Sequence, residues 1–327
     1  LSMSDLMDEG YPVYGANGII GYYNKYTHEK ETLMITCRGA TCGTLNVSTP
    51  YSYINGNAMA LDNLNEEIVN LKYIFYYLRG FDDCITGSAQ PQITAQGLRK
   101  IDILVPPIDI QIKIARVLDK AQELIDKRKE QIEKLDEFIQ SVFLDMFGDP
   151  VKNPKGWNQK SFANGIQSIK YGASIPPVFS QEGIPFIRAT NIKNGRIIEN
   201  DMKYISPEEA QKIEKCKLEV GDILIVRSGV NAGDSTFVNK KYNNSYGGYD
   251  IIVKLNNNLN YAYINGLFNS IYREVFIDPL TRRAGQQHLN VKQIQGLLIM
   301  YPPVDLQNKF SNIVEKTEQQ KELLQNS

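Results

Sequence analysis

Two arginines sit in glycine-rich turns that follow apolar runs. Arg38 opens RGATCG after TLMIT, and Arg227 opens RSGVNAG after ILIV. A planar guanidinium presents two parallel donors that match a guanine edge or a phosphate, and a glycine-rich turn lets the backbone approach closely. Thr41 in the first turn, and Ser228 and Asn231 in the second, add short polar groups. Two further loops carry the same kind of side chain. GSAQPQ at 87–92 holds Gln90 and Gln92, and TRRAGQQH at 281–288 holds Arg282, Arg283, Gln286, Gln287 and His288. Glutamine matches the major-groove edge of adenine, and basic side chains grip phosphates. Asn57 beside Gly56, and Tyr249 beside Gly248, are weaker members of the set. A turn with a structural arginine, or a Gly/Gln-rich turn ahead of a helix, explains the same residues without any ligand.

No catalytic or metal centre can be assembled from the sequence. There is no phosphate-binding GxxxxGK[ST] loop and no His-Glu-x-x-His. His28 and His288 are the two histidines. The four cysteines, Cys37, Cys42, Cys84 and Cys216, lack metal-finger spacing and disulfide-scaffold density. The Pro-Pro pairs, VPPI and YPPV, lack the flanking polar and aromatic residues of an adenine-methyltransferase motif. An apolar fraction of 42%, a charged fraction of 22% and a net charge of -1 describe an ordinary soluble globular chain of 327 residues. That charge counts mildly against a wholly basic nucleic-acid binder, but not against one basic face. No apolar run is long enough to span a membrane, and LSMSDLMDEG does not read as a signal peptide. A reduced, cytoplasmic setting is expected.

The elements behind these loops occur twice. Ile93–Lys120 (ITAQGLRKIDILVPPIDIQIKIARVLDK) and Leu289–Lys316 (LNVKQIQGLLIMYPPVDLQNKFSNIVEK) align without a gap at an offset of 196 residues. More weakly, Tyr11-Pro-Val-Tyr14 answers Ile184-Pro-Phe-Ile187. The Arg38 turn answers the Arg227 turn, with the second read as one residue longer. Four segments follow: a mixed, turn-rich domain at 1–105, a long helix at 106–150, a second such domain at 151–301 and a second helix at 302–327. Strands are expected at TLMIT (32–36), NAMAL (57–61), IDILV (101–105), IPFIR (184–188), DILIVR (222–227) and DIIVKL (250–255). Heptad-like spacing places Ile114, Val117, Leu124, Leu135 and Phe138 on one stripe of the first helix, with Arg128 and Gln131 as polar members. Phe310, Ile313 and Gln320 lie on the stripe of the second. The fold class is α+β: two domains, each followed by a long helix, with the helices paired as an antiparallel coiled-coil spacer under pseudo-two-fold symmetry. Such symmetry suits a target with two inverted, non-identical halves, and duplex DNA is one.

The Pro-Pro-(Ile/Val)-Asp-(Ile/Leu)-Gln helix starts, the charged helix ending in FLDMFGDP and the duplicated domain resemble the specificity subunit of type I restriction–modification systems. The resemblance covers nearly the whole chain. It implies two target recognition domains, each reading half of a bipartite asymmetric sequence in double-stranded DNA. It also implies no catalysis by this chain and partnership with two methyltransferase subunits and with restriction subunits. The cofactors would then be S-adenosylmethionine, Mg and ATP, all on the partners. It identifies no base-contacting residue. Against the family pattern, the first domain is expected to be short at its start and the second helix about 20 residues shorter than the first. The other readings are the recognition part of a single-chain restriction–methyltransferase enzyme and a coiled-coil adaptor that binds no DNA.

Overall fold

The computed structural model describes residues 1–16, 18–56, 58–80, 84–87, 90–282 and 288–326. The chain divides into two compact units, Leu1–Lys127 and Arg128–Ser327, and the division falls inside the long helix Ile108–Phe147.

Unit 1 contains two small sheets. In one, Tyr11–Gly15 lies between Gly18–Tyr23, antiparallel, and Tyr53–Ile54, parallel. In the other, Leu33–Thr36 lies between Leu45–Val47 and Ala58–Leu61, both antiparallel. Leu33–Thr36 is buried throughout, as an unbroken apolar run in a central strand should be. Leu33 and Ile35 join Tyr73, Ile74, Leu78 and Ile93 in the core. The short helix Leu71–Tyr77 starts at Asn70, whose side chain accepts the Tyr73 N–H at 3.0 Å.

Unit 2 repeats the plan and adds to it. Ile184–Ile187 again pairs in parallel with a two-residue strand, Tyr246–Gly247, and antiparallel with Lys203–Ile205. Ile223–Ile225 again sits between antiparallel neighbours, Ser235–Phe237 and Ile251–Leu255. A fourth strand, Ile166–Tyr171, borders Ile251–Leu255, and Gln159–Ser161 pairs with Leu298–Met300. Neither of these two added strands has a counterpart among the described residues of unit 1. Their presence explains one failed expectation. IDILV at 101–105 aligns with the segment that forms Leu298–Met300, yet it is not a strand. Strand propensity needs a partner, and Leu104 remains 71% exposed.

The Pro-Pro-x-Asp-x-Gln motif makes the same joint in each unit. Gln111 is fully buried. Its Oε1 accepts the Asn70 N–H at 2.8 Å, and its Nε2 donates to the Ile68 and Pro106 carbonyls at 2.8 and 2.7 Å. Gln307 does the same. It accepts from Asn260 N–H at 2.8 Å and donates to Asn258 and Pro302 carbonyls at 3.2 and 2.8 Å. Asn260 caps the short helix Tyr261–Phe268. Each glutamine therefore pairs two main-chain groups of the loop ahead of the short helix and one carbonyl of the Pro-Pro segment ahead of the long helix, tying the two together.

At 1.5 Å per residue the first long helix spans about 60 Å. Gly148, at φ +80°, ends it, donating its N–H to the Leu144 carbonyl at 2.8 Å. The second long helix runs Val304–Asn326. Within unit 2 the two run antiparallel. Phe310 packs on Phe143 and Phe147, and Lys321 reaches back to Asp136 at 2.6 Å. Tyr263 closes this aromatic cluster, and Gly266 leaves room for it, since a Cβ there would meet Phe143 Cδ2 at 2.7 Å. The buried stripe matches the expected one in part. Val142 on the stripe and Ile132 and Ile139, which widen it, are half-buried like Arg128 and Leu135, whereas Phe138 and Gln131 are exposed and Phe143, which lies off the expected stripe, is buried. On the second helix Ile313 is half-buried and Gln320 is exposed, while Lys321 is 2% exposed. The physical reason is electrostatic. Lys321, Glu318, Asp136 and Arg196 form one ion-pair network, which allows a lysine to take a seam position. In unit 1 the stripe residues Ile114, Val117 and Leu124 are exposed.

Candidate nucleic-acid interface

The turn after the central strand has one backbone in both units. In unit 1 Thr36 N–H donates to Thr44 O, Gly43 N–H to Thr36 O, Cys42 N–H to Gly39 O and Thr44 N–H to Thr41 O. In unit 2 the same four bonds run from Val226 to Asp234, Gly233 to Val226, Ala232 to Gly229 and Asp234 to Asn231. Gly39 and Gly229 take φ of +88° and +92°, a region that L side chains rarely enter. The two turns are equal in length and correspond residue for residue. Arg38 therefore matches Ser228 and not Arg227, and Cys37 stands at the Arg227 position. Matching the arginines by identity produced the apparent extra residue. Main-chain bonds, not side chains, set the register.

A second segment returns beside each turn. In unit 1 Arg38 bridges Gln92, Gly39 N–H donates to Pro91 O at 3.1 Å, and Ile93 N–H donates to Cys37 O at 2.9 Å. Thr86 and Gln92 exchange both main-chain bonds, closing the 87–92 loop. Arg38 and Gln92 are exposed and adjacent, Thr41 is half-buried, and Gln90 is exposed. In unit 2 Ser228 bridges His288, and Leu289 N–H donates to Arg227 O at 2.8 Å. His288 N–H donates to Thr281 O at 3.1 Å, which closes the loop carrying exposed Arg282. Asn57, Arg283, Gln286 and Gln287 lie outside the described residues.

Unit 2 packs its site more tightly. The Arg227 guanidinium lies over two rings, 4.2 Å from the Tyr171 centroid and 4.4 Å from that of Tyr249. Its Nε donates to His288 Nε2 at 3.3 Å, and His288 Nδ1 lies 2.8 Å from Ser228 Oγ. An Nε2 that accepts leaves the proton of the neutral imidazole on Nδ1, which donates to the serine. The Arg227 main-chain N–H donates to Asp250 Oδ1 at 3.1 Å. Burial pushes the Asp250 carboxyl up to about 6, and the Arg227 contacts offset only part of that. Tyr171 and Tyr249 are 39% and 46% exposed, and Val230 at the tip of the turn is 94% exposed. Asn231 is half-buried inside the turn. Sequence reasoning missed Tyr171 and Asp250. A signal was present in YGGYD at 246–250. A Cβ on Gly172 would meet the Gly248 carbonyl at 1.7 Å, so this contact brings two distant segments together on condition of a glycine.

Among the described residues no group of His, Cys, Asp or Glu is placed to hold a metal ion. No helix among them is long and apolar enough to cross a membrane.

The sequence pattern of the type I restriction modification DNA specificity domain matches residues 2–135 and 157–327. The chain belongs to this family. A specificity subunit of the type I restriction enzyme EcoprrI from Escherichia coli is 32% identical over 112 residues, which are 34% of this chain and 27% of the relative. The MjaIX specificity subunit from Methanocaldococcus jannaschii is 25% identical over 313 residues, 88% of this chain and 70% of the relative. The chain thus matches little more than a quarter of the length of the first relative and over two thirds of the other. Among solved structures, a type I restriction–modification S subunit from M. genitalium has a TM-score of 0.64 at 16% identity. The match covers the whole of this chain and 87% of that one. A chain from a structure of type I complex assembly and conformational transition has a TM-score of 0.52, also at 16% identity, over 91% of this chain and 77% of that one. These likenesses establish the specificity-subunit fold: two strand-rich domains with long helices.

Proposed function

We propose that this chain is the sequence-reading part of a type I restriction–modification complex, with each domain reading one half of a bipartite, asymmetric site in duplex DNA. The paired long helices set the gap between the halves. The chain itself catalyses nothing. It directs adenine methylation by two methyltransferase subunits that carry S-adenosylmethionine, and cleavage by restriction subunits that use ATP and Mg. One observation carries this reading. The same turn and return loop are built twice on equivalent main-chain bonds, but with different polar side chains: Arg38 and Gln92 in one copy, Arg227, Ser228 and His288 in the other. A constant scaffold with variable donors and acceptors is what reading two different half-sites requires.

Co-expression with a methyltransferase subunit that co-purifies with it, followed by sequencing of the methylated bases, tests the proposal. The expected result is methyl-adenine in a two-part asymmetric motif with a fixed gap. Methylation at a single continuous motif would exclude bipartite reading. A complex that methylates identically without this chain would exclude a specificity role.

A further inference from the structure

The half-buried arginines of the second strand-rich domain differ in their partners. Arg188 lies against Asp201, Arg196 against Asp136 and Glu318, and Arg273 against Asp234 and Asp278. Arg227 has no carboxylate within ion-pair distance among the described residues. Two tyrosine rings lie within 4.4 Å of its guanidinium carbon, and its Nε–H is used by His288. The remaining hydrogen-bonding capacity is on the two terminal nitrogens, in a turn whose neighbours Val230 and Tyr249 are exposed. An arginine held in this way is a fork of fixed plane and direction.

We propose that Arg227 reads a guanine edge in the half-site taken by unit 2, with Tyr171, Tyr249 and His288 as positioning residues that fix the plane of its guanidinium. This rests on the DNA-reading function proposed above. A phosphate asks chiefly for charge and tolerates a mobile lysine or arginine. A guanine N7 and O6 pair asks for two donors, coplanar with the base. Two rings and an Nε bond are a large investment in orientation, and orientation has value at a base edge. Unit 1 lacks the device. Cys37 stands at the Arg227 position, and Gln92 at that of His288.

The test uses the full chain assembled with its methyltransferase subunits, measured for methylation and binding on a panel of single-base variants of its site. R227Q is expected to relax or shift toward adenine one G·C position of one half-site, by roughly 10- to 100-fold, and to leave the other positions unchanged. R227K, which keeps the charge but not the planar fork, should relax the same position. Y249F should retain the wild-type motif, whereas Y249A should weaken discrimination at that position. Two outcomes overturn the inference alone. One is a wild-type motif with R227Q. The other is wild-type selectivity with R227K together with a sequence-independent loss and a salt slope smaller by about 1 with R227Q, as for a phosphate contact. A wild-type complex that marks no defined sequence overturns the parent function, and the inference with it. Melting curves for R227Q and R227K separate loss of reading from loss of fold.

Discussion

The short helix of each unit meets its long helix through the same main-chain joint, but the contact beyond the joint is unlike. In unit 1 it is polar: Lys72 and Tyr76 reach Asp119 at 2.5 and 2.9 Å, and Arg79 reaches Gln122 at 2.8 Å. In unit 2 a polar contact remains, with Tyr261 Oη donating to Glu315 at 2.9 Å, but an aromatic cluster is added: Tyr263 packs on Phe143 and Phe147, and these pack on Phe310. Counting from the capping asparagines, Tyr76 and Gly266 hold the same helix position, the one a bulky ring and the other a vacancy that the rings of both long helices fill. The comparison separates two jobs. Glutamine and prolines fix where the long helix begins, and the residues of the short helix decide what the long helix packs against.

The largest effects begin at the joint. Gln111→Leu and Gln307→Leu each remove three hydrogen bonds to main-chain groups that are at least partly shielded, at about 3 kcal/mol in the unit concerned. Native-state hydrogen exchange can report each unit separately, and losses differing by more than about 2 kcal/mol would break the equivalence of the two joints. Next is Gly266→Ala, expected to cost about 3 kcal/mol by pushing Phe143 out of place, measured by urea unfolding. An unchanged midpoint would show that the aromatic seam has slack.

The third test concerns Asp250. The register that pairs Ile225 with Ile251 sets Asp250 opposite Val226, where unit 1 has Ala58 opposite Thr36. Burial raises the Asp250 carboxyl from 3.8 to about 6, so the folded state favours its protonated form. The stability cost of the carboxylate is fully present above pH 6, shrinks as pH falls and is gone below about pH 4. Asp250→Asn, which keeps an acceptor for the Arg227 N–H, should therefore be the more stable protein at pH 7, by about 3 kcal/mol. The two proteins should converge near pH 4, and a gap that does not change with pH would refute the assignment. The smallest effect belongs to Lys72→Ala. An exposed pair of this kind contributes less than about 1 kcal/mol. Its loss should fade at 1 M salt, whereas the Gly266→Ala loss should not.

Much of this was legible in the residues. The Pro-Pro-x-Asp-x-Gln spacing marked both helix starts, and the duplicated IPFI-like strand and following turn marked both domains. What the glutamine does was not legible, because its partners at 68–70 and 258–260 are main-chain groups more than 40 residues away. IDILV read as a strand because its composition is right, but the strand that pairs with its counterpart in unit 2, Gln159–Ser161, has no equivalent among the described residues of unit 1. Lys321 was passed over for Gln320 because a buried lysine makes sense only once Asp136 and Glu318 are beside it. The Tyr171–Arg227–Tyr249 stack draws on three separate segments, which no local pattern joins.

Because the glutamine joint binds carbonyls and amides alone, its strength is indifferent to which side chains the rest of a domain carries. A domain could exchange its turns for those of another without disturbing the angle at which its helix departs. Recognition can then be re-tooled at the tip while the handle keeps its fitting.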